Sequence, residues 1–170
     1  MQIRKATRED IPALQSLYRD TVTTVNAADY LPDQIRAWVK TAERTDSLAA
    51  RIASQWFYVA VTDAGEVVGF ASFEEPDYLD MLYVHRLFQR QGIAKFLLEK
   101  IVEKAMETGA LRIVSDVSIT AKPFFIKQGF QVVREQCAVI DGISLVNFKM
   151  LMTREQFLDR YVYRLPTVTH

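Results

Sequence analysis

A short polar turn, Gln89-Arg90-Gln91-Gly92-Ile93-Ala94, separates an apolar run from a strongly amphipathic segment. If that segment is a helix, its first N–H groups have no intrahelical acceptor, and the helix dipole adds positive charge there. Gly92 has no Cβ and lets an anion approach the backbone, while Arg90 and Lys95 add positive charge. Phosphate is the natural ligand of such a turn. The alternative is a turn that only changes the direction of the chain.

Two stretches resemble one family in order and spacing. Gln89-x-x-Gly92-x-Ala94 resembles the Q/R-x-x-G-x-G/A signature of the GCN5-related N-acetyltransferases, the GNAT superfamily, and residues 121–130 resemble its A-x-x-F-Y-x-K-x-G-F segment. The segments DMLYV, SITAKPFF and NFKM are similar to those of the YafP-like branch of this superfamily. The resemblance covers residues 1–152. It implies an α/β (α+β) fold: a mixed, mostly antiparallel twisted sheet of about seven strands, flanked by helices.

The resemblance also implies an activity and a cofactor. The activity is transfer of an acetyl group from acetyl-CoA to a primary amine of a small molecule, peptide or protein, by direct attack in a ternary complex. The turn would hold the diphosphate, and the preceding strand would pair with the pantetheine arm. Ser118 stands where the family often has a coenzyme-contacting asparagine. The expected coenzyme-binding residues are Leu82, Tyr83, Val84, Gln89, Arg90, Gln91, Gly92, Ile93, Ala94, Ser118 and Phe125.

Phe125 departs from the family pattern, since many members have there the tyrosine that protonates the coenzyme sulfur. Phenylalanine has no hydroxyl, so that role cannot be carried over. Either Tyr83, Tyr30 or water replaces it, or the thiolate leaves unaided, which a thiol pKa around 8.5 allows. Phe125 either walls the coenzyme channel or packs in the core.

An amine that attacks a thioester must first lose its proton. For a lysine-like amine of pKa about 10.4, the neutral form at pH 7 is disfavoured by roughly 4.6 kcal/mol. Asp80 is the only charged residue in Leu79–Val84, and strand alternation places it on the face of Leu82. Desolvation there raises a carboxylate pKa, so Asp80 is the predicted base; the alternative is a structural aspartate. Weaker candidates are Glu74, Glu75, Asp77 and His85.

Tyr30 and Trp38 are the candidates for the acceptor site, because aromatic walls hold apolar or ammonium groups. The alternative is that both are ordinary core aromatics. A second function class is also open: an acyl-CoA-binding regulator with little or no turnover, which the missing tyrosine at Phe125 favours and Asp80 opposes. The absence of a G-x-x-x-x-G-K-[ST] loop disfavours a third class, a nucleotide-phosphate enzyme.

Amino-acid composition narrows the possible binding partners and the location of the protein. The 170 residues carry 21 Lys plus Arg and 21 Asp plus Glu, so no net charge favours nucleic acid. No apolar run approaches the roughly 20 residues that span a bilayer. The single cysteine, Cys137, excludes an internal disulfide and is interpreted as a core thiol. We therefore expect a cytoplasmic protein with no metal, no nucleic-acid partner and no membrane partner, and a possible homodimer.

Hydrophobic periodicity predicts the elements that position these residues. A helix begins near residue 7, a second runs from Pro32 to about Ile52, and the central helix begins at Ile93 and ends at Thr108-Gly109. Ser118 or Thr120 caps a short helix that ends at residue 128. Strands are predicted over residues 2–6, 56–61, 67–73, 78–84, 113–117, 130–140 and 144–152.

The strands on either side of the central helix should be parallel and diverge, leaving a gap for pantetheine as in the GNAT fold. Residues 1–152 form the predicted acetyltransferase domain. Residues 153–170 form a tail whose capping-box pattern predicts a short helix, packed on its own domain or on a second subunit.

Overall fold

Seven strands and six α-helices make up the computed structural model, which describes residues 1–162. The strands are β1 (Gln2–Lys5), β2 (Trp56–Val61), β3 (Val67–Glu74), β4 (Tyr78–Val84), β5 (Arg112–Ser118), β6 (Gln131–Ile140) and β7 (Ile143–Thr153). The α-helices are α1 (Ile11–Thr24), α2 (Pro32–Ala42), α3 (Thr45–Ser54), α4 (Ile93–Glu107), α5 (Lys122–Lys127) and α6 (Arg154–Tyr161).

The strands form one sheet in the order β1-β2-β3-β4-β5-β7-β6. Only β4 and β5 run parallel, and the other neighbouring pairs are antiparallel. The predicted mixed sheet of about seven strands flanked by helices is therefore confirmed. α4 lies between these two parallel strands in the sequence and forms the crossover connection that parallel neighbours require.

A hydrophobic cluster covers each face of the sheet. On one face the periodic side chains of α4 are fully buried against β2, β3 and β4, together with residues of α5 and α6. On the other face α1, α2 and α3 pack on the side chains that alternate to the opposite side. Gly69 of β3 allows close packing of α4, since a Cβ there would lie 3.0 Å from Ile93 Cγ2 and Leu97 Cδ1. No helix among residues 1–162 has the length and apolar character to cross a membrane.

The C-terminal hairpin and helix follow their local sequence signals. Asp141 and Gly142 have φ of +50° and +75°, as the two-residue turn between β6 and β7 requires. Thr153 Oγ1 accepts a hydrogen bond from the Gln156 N–H, while Gln156 Oε1 accepts one from the Thr153 N–H. Phe157 of α6 is fully buried in the α4-side cluster. The helical part of the predicted tail therefore packs on its own domain, and residues 163–170 lie outside the described part.

Three local predictions were wrong. The helix predicted from Pro32 to Ile52 is broken at Arg44, whose ψ of +85° is not helical. This break lets Ala42 and Leu48 both face the core. Cys137 is exposed, because β6 is the outermost strand of the sheet and, within residues 1–162, pairs with β7 alone. Neither Ser118 nor Thr120 occupies the N-cap position of α5, which is Ala121.

Asp80 does not share a face with Leu82 and Val84. The register between β3 and β4 shifts at this point: Ser72 pairs with Met81 and Phe73 with Leu79, so Asp80 is the extra residue of a β-bulge. A bulge disrupts the alternation on which the prediction relied. Leu82 and Val84 pack on the α4 side, whereas Asp80 contacts α3 on the other side.

Candidate active site

A gap opens between the parallel strands β4 and β5. The two strands share one registered pair, Tyr78 with Val114. Next to that pair the Val114 N–H donates to the Asp77 carbonyl at 2.8 Å. One step further, Ser115 Oγ donates to the Leu79 carbonyl at 2.8 Å. A side chain thus takes the place of the next ladder bond, and within residues 1–162 the strands are unpaired from there to their C-terminal ends.

Alternate residues of β4 turn their backbone groups into this gap. The His85 N–H donates to the Val68 carbonyl of β3 at 2.9 Å. Hydrogen-bonded pairs alternate along an antiparallel ladder, so the N–H and C=O groups of Tyr83 also point toward β3. The N–H and C=O groups of Leu82 and Val84 therefore face β5. Of the three residues expected to pair with pantetheine, Leu82 and Val84 therefore have the right orientation. Tyr83 instead points its ring toward α1, with its centroid 4.5 Å from that of Tyr18.

The carbonyl of Val84 is already engaged. It accepts hydrogen bonds from Gln89 Nε2 at 2.6 Å and from Thr21 Oγ1 of α1 at 3.1 Å. The Gln89 side chain therefore fastens the turn to the end of β4. This contact gives Gln89 a structural task in addition to the predicted contact with the coenzyme.

The turn before α4 exposes a run of backbone donors. Within residues 1–162, the N–H groups from Arg90 to Lys95 have no hydrogen-bond acceptor, and the Phe96 N–H is the first to find one, the Gly92 carbonyl at 3.0 Å. Arg90 and Gly92 have φ of +60° and +82°. A Cβ on Gly92 would meet no atom within 4 Å, so the outer side of the turn is open. This geometry suits an anion with several acceptor oxygens.

Ser118, at the end of β5, and Phe125 of α5 both contact other parts of the protein. Ser118 Oγ accepts a hydrogen bond from the Ala121 N–H at 3.1 Å, which fixes the start of α5. Phe125 is only 4% exposed and packs against Phe130, with ring centroids 4.9 Å apart. This environment favours the core interpretation of Phe125 over a channel wall. The coenzyme contacts of both residues stay predictions.

Asp80 lies in a half-buried polar group beside α3. Its Oδ2 accepts hydrogen bonds from Arg51 Nε at 2.7 Å and from Gln55 Nε2 at 2.8 Å. Because a carboxylate only accepts, Gln55 must present its NH₂ to it, and this leaves Gln55 Oε1 buried without a donor in the described chain. Residues 1–162 supply no donor to Asp80 Oδ1, so one carboxylate oxygen is available for another partner.

A second polar group joins β4 to the C-terminal strands on the same face. The Tyr78 hydroxyl donates to Asp116 Oδ2 at 3.0 Å, and Gln136 Nε2 and Lys149 Nζ donate to Asp116 Oδ1 at 2.7 and 3.0 Å. Burial and the Asp116 carboxylate raise the pKa of Tyr78. Partial burial opposes ionisation of Asp116, but the hydrogen bonds from Lys149, Tyr78 and Gln136 outweigh it and lower its pKa.

Tyr30 and Trp38 form one aromatic corner, with ring centroids 5.3 Å apart. The Tyr30 hydroxyl donates to the Val146 carbonyl at 2.7 Å and accepts from the Ile119 N–H at 2.9 Å. Burial raises the pKa of Tyr30, and both hydrogen-bonding roles of its hydroxyl are occupied. Trp38 Nε1 donates to the Tyr18 hydroxyl at 3.0 Å. Contact with an acceptor stays a prediction for both residues.

Sequence reasoning missed four residues of this region: Thr21, Arg51, Gln55 and Ser115. Ser115 had a weak signal, since it is a polar residue inside an apolar strand. Arg51 lies in the last turn of α3 and Gln55 directly follows that helix, but nothing local indicates that they meet Asp80. No group of three or more His, Cys, Asp or Glu side chains in the described part could hold a metal ion.

Comparison with known proteins decides the family. The family described as Acetyltransferase (GNAT) domain matches residues 26–152, which is more than half of the chain. The chain belongs to the GNAT acetyltransferase family. The predictions of this family and of an acetyl-CoA-dependent N-acetyltransferase are thereby confirmed.

Three relatives illustrate the match to this GNAT chain. The uncharacterized N-acetyltransferase YafP of Escherichia coli is 35% identical over 150 residues, covering 88% of this chain and 94% of that protein. A GCN5-related N-acetyltransferase structure from Rhodopseudomonas palustris has a TM-score of 0.86 and 31% identity, covering 89% and 94% of the two chains. The PaiA N-acetyltransferase of Thermoplasma acidophilum, solved with coenzyme A, has a TM-score of 0.74, covers 89% and 98%, and at 22% identity shows the fold.

Proposed function

We propose that this GNAT chain binds acetyl-CoA with its diphosphate on the turn before α4 and its pantetheine arm in the gap between β4 and β5. The observation that carries the proposal is the run of N–H groups from Arg90 to Lys95 without an acceptor in residues 1–162, directly beyond the end of β4. The backbone groups of Leu82 and the N–H of Val84 continue from this turn into the gap. The coenzyme A complex of the Thermoplasma relative supports the same ligand.

The acceptor in this proposal is a primary amine of a small molecule, peptide or protein. It attacks the thioester carbon directly, a C–N bond forms, the C–S bond breaks, and the electron pair leaves with the sulfur. Coenzyme A is released as the thiol after it regains a proton. Because Phe125 has no hydroxyl, the thiolate leaves unaided or with a proton from water, and its low basicity makes this tolerable.

Asp80 takes the proton from the attacking ammonium group in this mechanism. Its free Oδ1 accepts a hydrogen bond from the amine, while Arg51 and Gln55 hold Oδ2 and so fix the carboxylate plane. A positioned base contributes typically 10²–10⁴-fold, about 3–5 kcal/mol of the deprotonation cost.

The second candidate function is an acyl-CoA-binding regulator. The absence of a hydroxyl at Phe125 and the pairing of Asp80 with Arg51 both favour it, since each removes part of the usual proton-transfer machinery. It shares the coenzyme site with the leading proposal and differs only in turnover.

Calorimetry with acetyl-CoA and an amine panel with a thiol detector separate the two functions. Binding together with amine-dependent CoA release supports the acetyltransferase. Binding without CoA release from a broad panel of small amines and peptides supports the regulator. Absence of binding contradicts both. Light scattering on the same samples tests the possible homodimer.

A further inference from the structure

Asn147 carries a buried acceptor atom that the protein leaves unused. It lies in the middle of β7, opposite Ser118 of β5 and Gln136 of β6. Its Oδ1 is buried and has no hydrogen-bond partner within residues 1–162. An unsatisfied buried polar atom costs about 1–3 kcal/mol, and native proteins contain few of them. Such an atom, on the sheet face that carries the proposed reaction site, is a candidate contact for a ligand.

The face on which Asn147 lies is the one that holds Asp80. Met150 of β7 packs in the cluster on the α4 side, whereas Leu145 packs in the cluster under α1, α2 and α3. Side chains alternate along a strand, so Asn147 projects on the same side as Leu145. The hydrogen-bonded group of Asp116 and Lys149 lies between it and β4.

The donors near Asn147 are bonded to other groups, and none of them within residues 1–162 bonds to its Oδ1. Gln136 Nε2 and Lys149 Nζ already donate to Asp116, and the Tyr30 hydroxyl donates to the Val146 carbonyl. The Tyr30 hydroxyl and Gln34 Nε2, which donates to the Ser144 carbonyl at 2.9 Å, fasten the start of α2 to the part of β7 that precedes this position. The unused acceptor therefore lies next to a segment of β7 that α2 holds in place.

We propose that Asn147 determines acceptor specificity by accepting a hydrogen bond from a second donor group of the substrate, such as a further ammonium or amide N–H. The inference rests on the proposed acetyl transfer, because Asp80 takes the reacting amine. Two strand spacings and a two-residue offset separate the two positions by on the order of 10 Å. The acceptor is thus a primary amine whose second donor lies at the far end of a chain of comparable length.

Matched amines test this assignment. The probes are α,ω-diamines of increasing chain length, each compared with the monoamine of the same length. For the wild-type protein we expect kcat/KM to favour one or more diamines by roughly tenfold or more, the value of one hydrogen bond to a charged group. Asn147→Leu should bring this ratio close to one while the Kd for acetyl-CoA stays unchanged. Asn147→Asp, which keeps an acceptor, should preserve the preference.

The outcomes separate this inference from the proposed function. A wild-type protein that prefers no diamine, or an Asn147→Leu variant that keeps the preference, overturns it. Loss of acetyl-CoA binding in Asn147→Leu also overturns it, since Asn147 would then support the coenzyme site. If no amine is acetylated, the proposed function fails. The role of Asn147 is then tested separately, by measuring whether a diamine raises the Tm of the protein in the presence of coenzyme A. A Tm increase in the wild type that Asn147→Leu abolishes supports the inference. A wild-type protein whose Tm does not increase overturns the inference.

Discussion

Replacing Gly92 with glutamate tests whether the turn before α4 holds the diphosphate of acetyl-CoA. Gly92 has φ of +82°, and an added Cβ meets no atom within 4 Å, so the change introduces backbone strain without a clash. This strain is about 1–2 kcal/mol, which lowers Tm by roughly 2–8 °C in a chain of this size. The folded state survives, and binding can be measured on it.

The effect on binding follows from charge. A glutamate carboxylate about 5 Å from one diphosphate charge is repelled by roughly 3 kcal/mol at an effective dielectric constant near 20. This corresponds to a Kd for acetyl-CoA raised about two-hundredfold. Isothermal titration calorimetry at low ionic strength measures it directly, and added salt should reduce the difference.

Gly109 provides a matched control at the other end of α4. It has φ of +75° and equally open space around its Cβ position. Gly109→Glu adds the same strain and charge, and it should destabilise the fold more, because a negative charge is unfavourable at a helix C-terminus. Its Kd for acetyl-CoA should equal that of the wild type. Equal Kd values for Gly92→Glu and the wild type, or equal weakening in both variants, would refute the diphosphate site.

Three further predictions concern the base, the packing of α4 and pH-dependent stability. Asp80→Asn should lower kcat/KM by about 10²–10⁴-fold at pH 7 and less at high pH, where the amine is already neutral; a pH–rate profile like that of the wild type removes Asp80 from the reaction. Gly69→Ala places a Cβ 3.0 Å from two α4 side chains and should cost about 1–3 kcal/mol of unfolding free energy; an unchanged urea midpoint contradicts this. The hydrogen bonds from Arg4 lower the pKa of Asp10. That stabilisation is present above the unfolded-state pKa and lost as pH falls through the folded-state pKa, so Asp10→Asn should destabilise the protein at pH 7 and have little effect in acid, as denaturation at both pH values will show.

Local sequence signals were sufficient to predict the helix, strands and turns that form the proposed coenzyme site. The four-residue recurrence of Ile93, Leu97 and Ile101 predicted α4, and these side chains are fully buried. Asp141-Gly142 predicted the hairpin turn, because both residues tolerate positive φ. The crossover rule predicted the parallel pair β4 and β5. Each of these features depends on residues that are close in sequence, so the pattern contains the information.

The surroundings of Asp80 depend on distant residues and could not be read from the pattern. The β-bulge arises from the register that β3 imposes on β4, and it moves Asp80 to the opposite face. Arg51 then reaches it from α3, a helix whose start was itself misplaced. The prediction that Cys137 is a core thiol was wrong for a related reason. An apolar strand has the same sequence pattern at the edge of a sheet as at its centre, and only the strand order distinguishes the two.

The Val84 carbonyl connects the turn before α4 to the gap between β4 and β5. It accepts from Gln89 of the turn and from Thr21 of α1, so one oxygen fixes the end of β4 to both. Because β5 lacks a registered pair with this end of β4, no ladder bond holds it on that side. These side-chain contacts substitute for the missing strand neighbour and fasten the turn to the end of β4. In the proposed complex, a coenzyme lying along both would replace the absent strand, so the feature that weakens the sheet would also create the binding site.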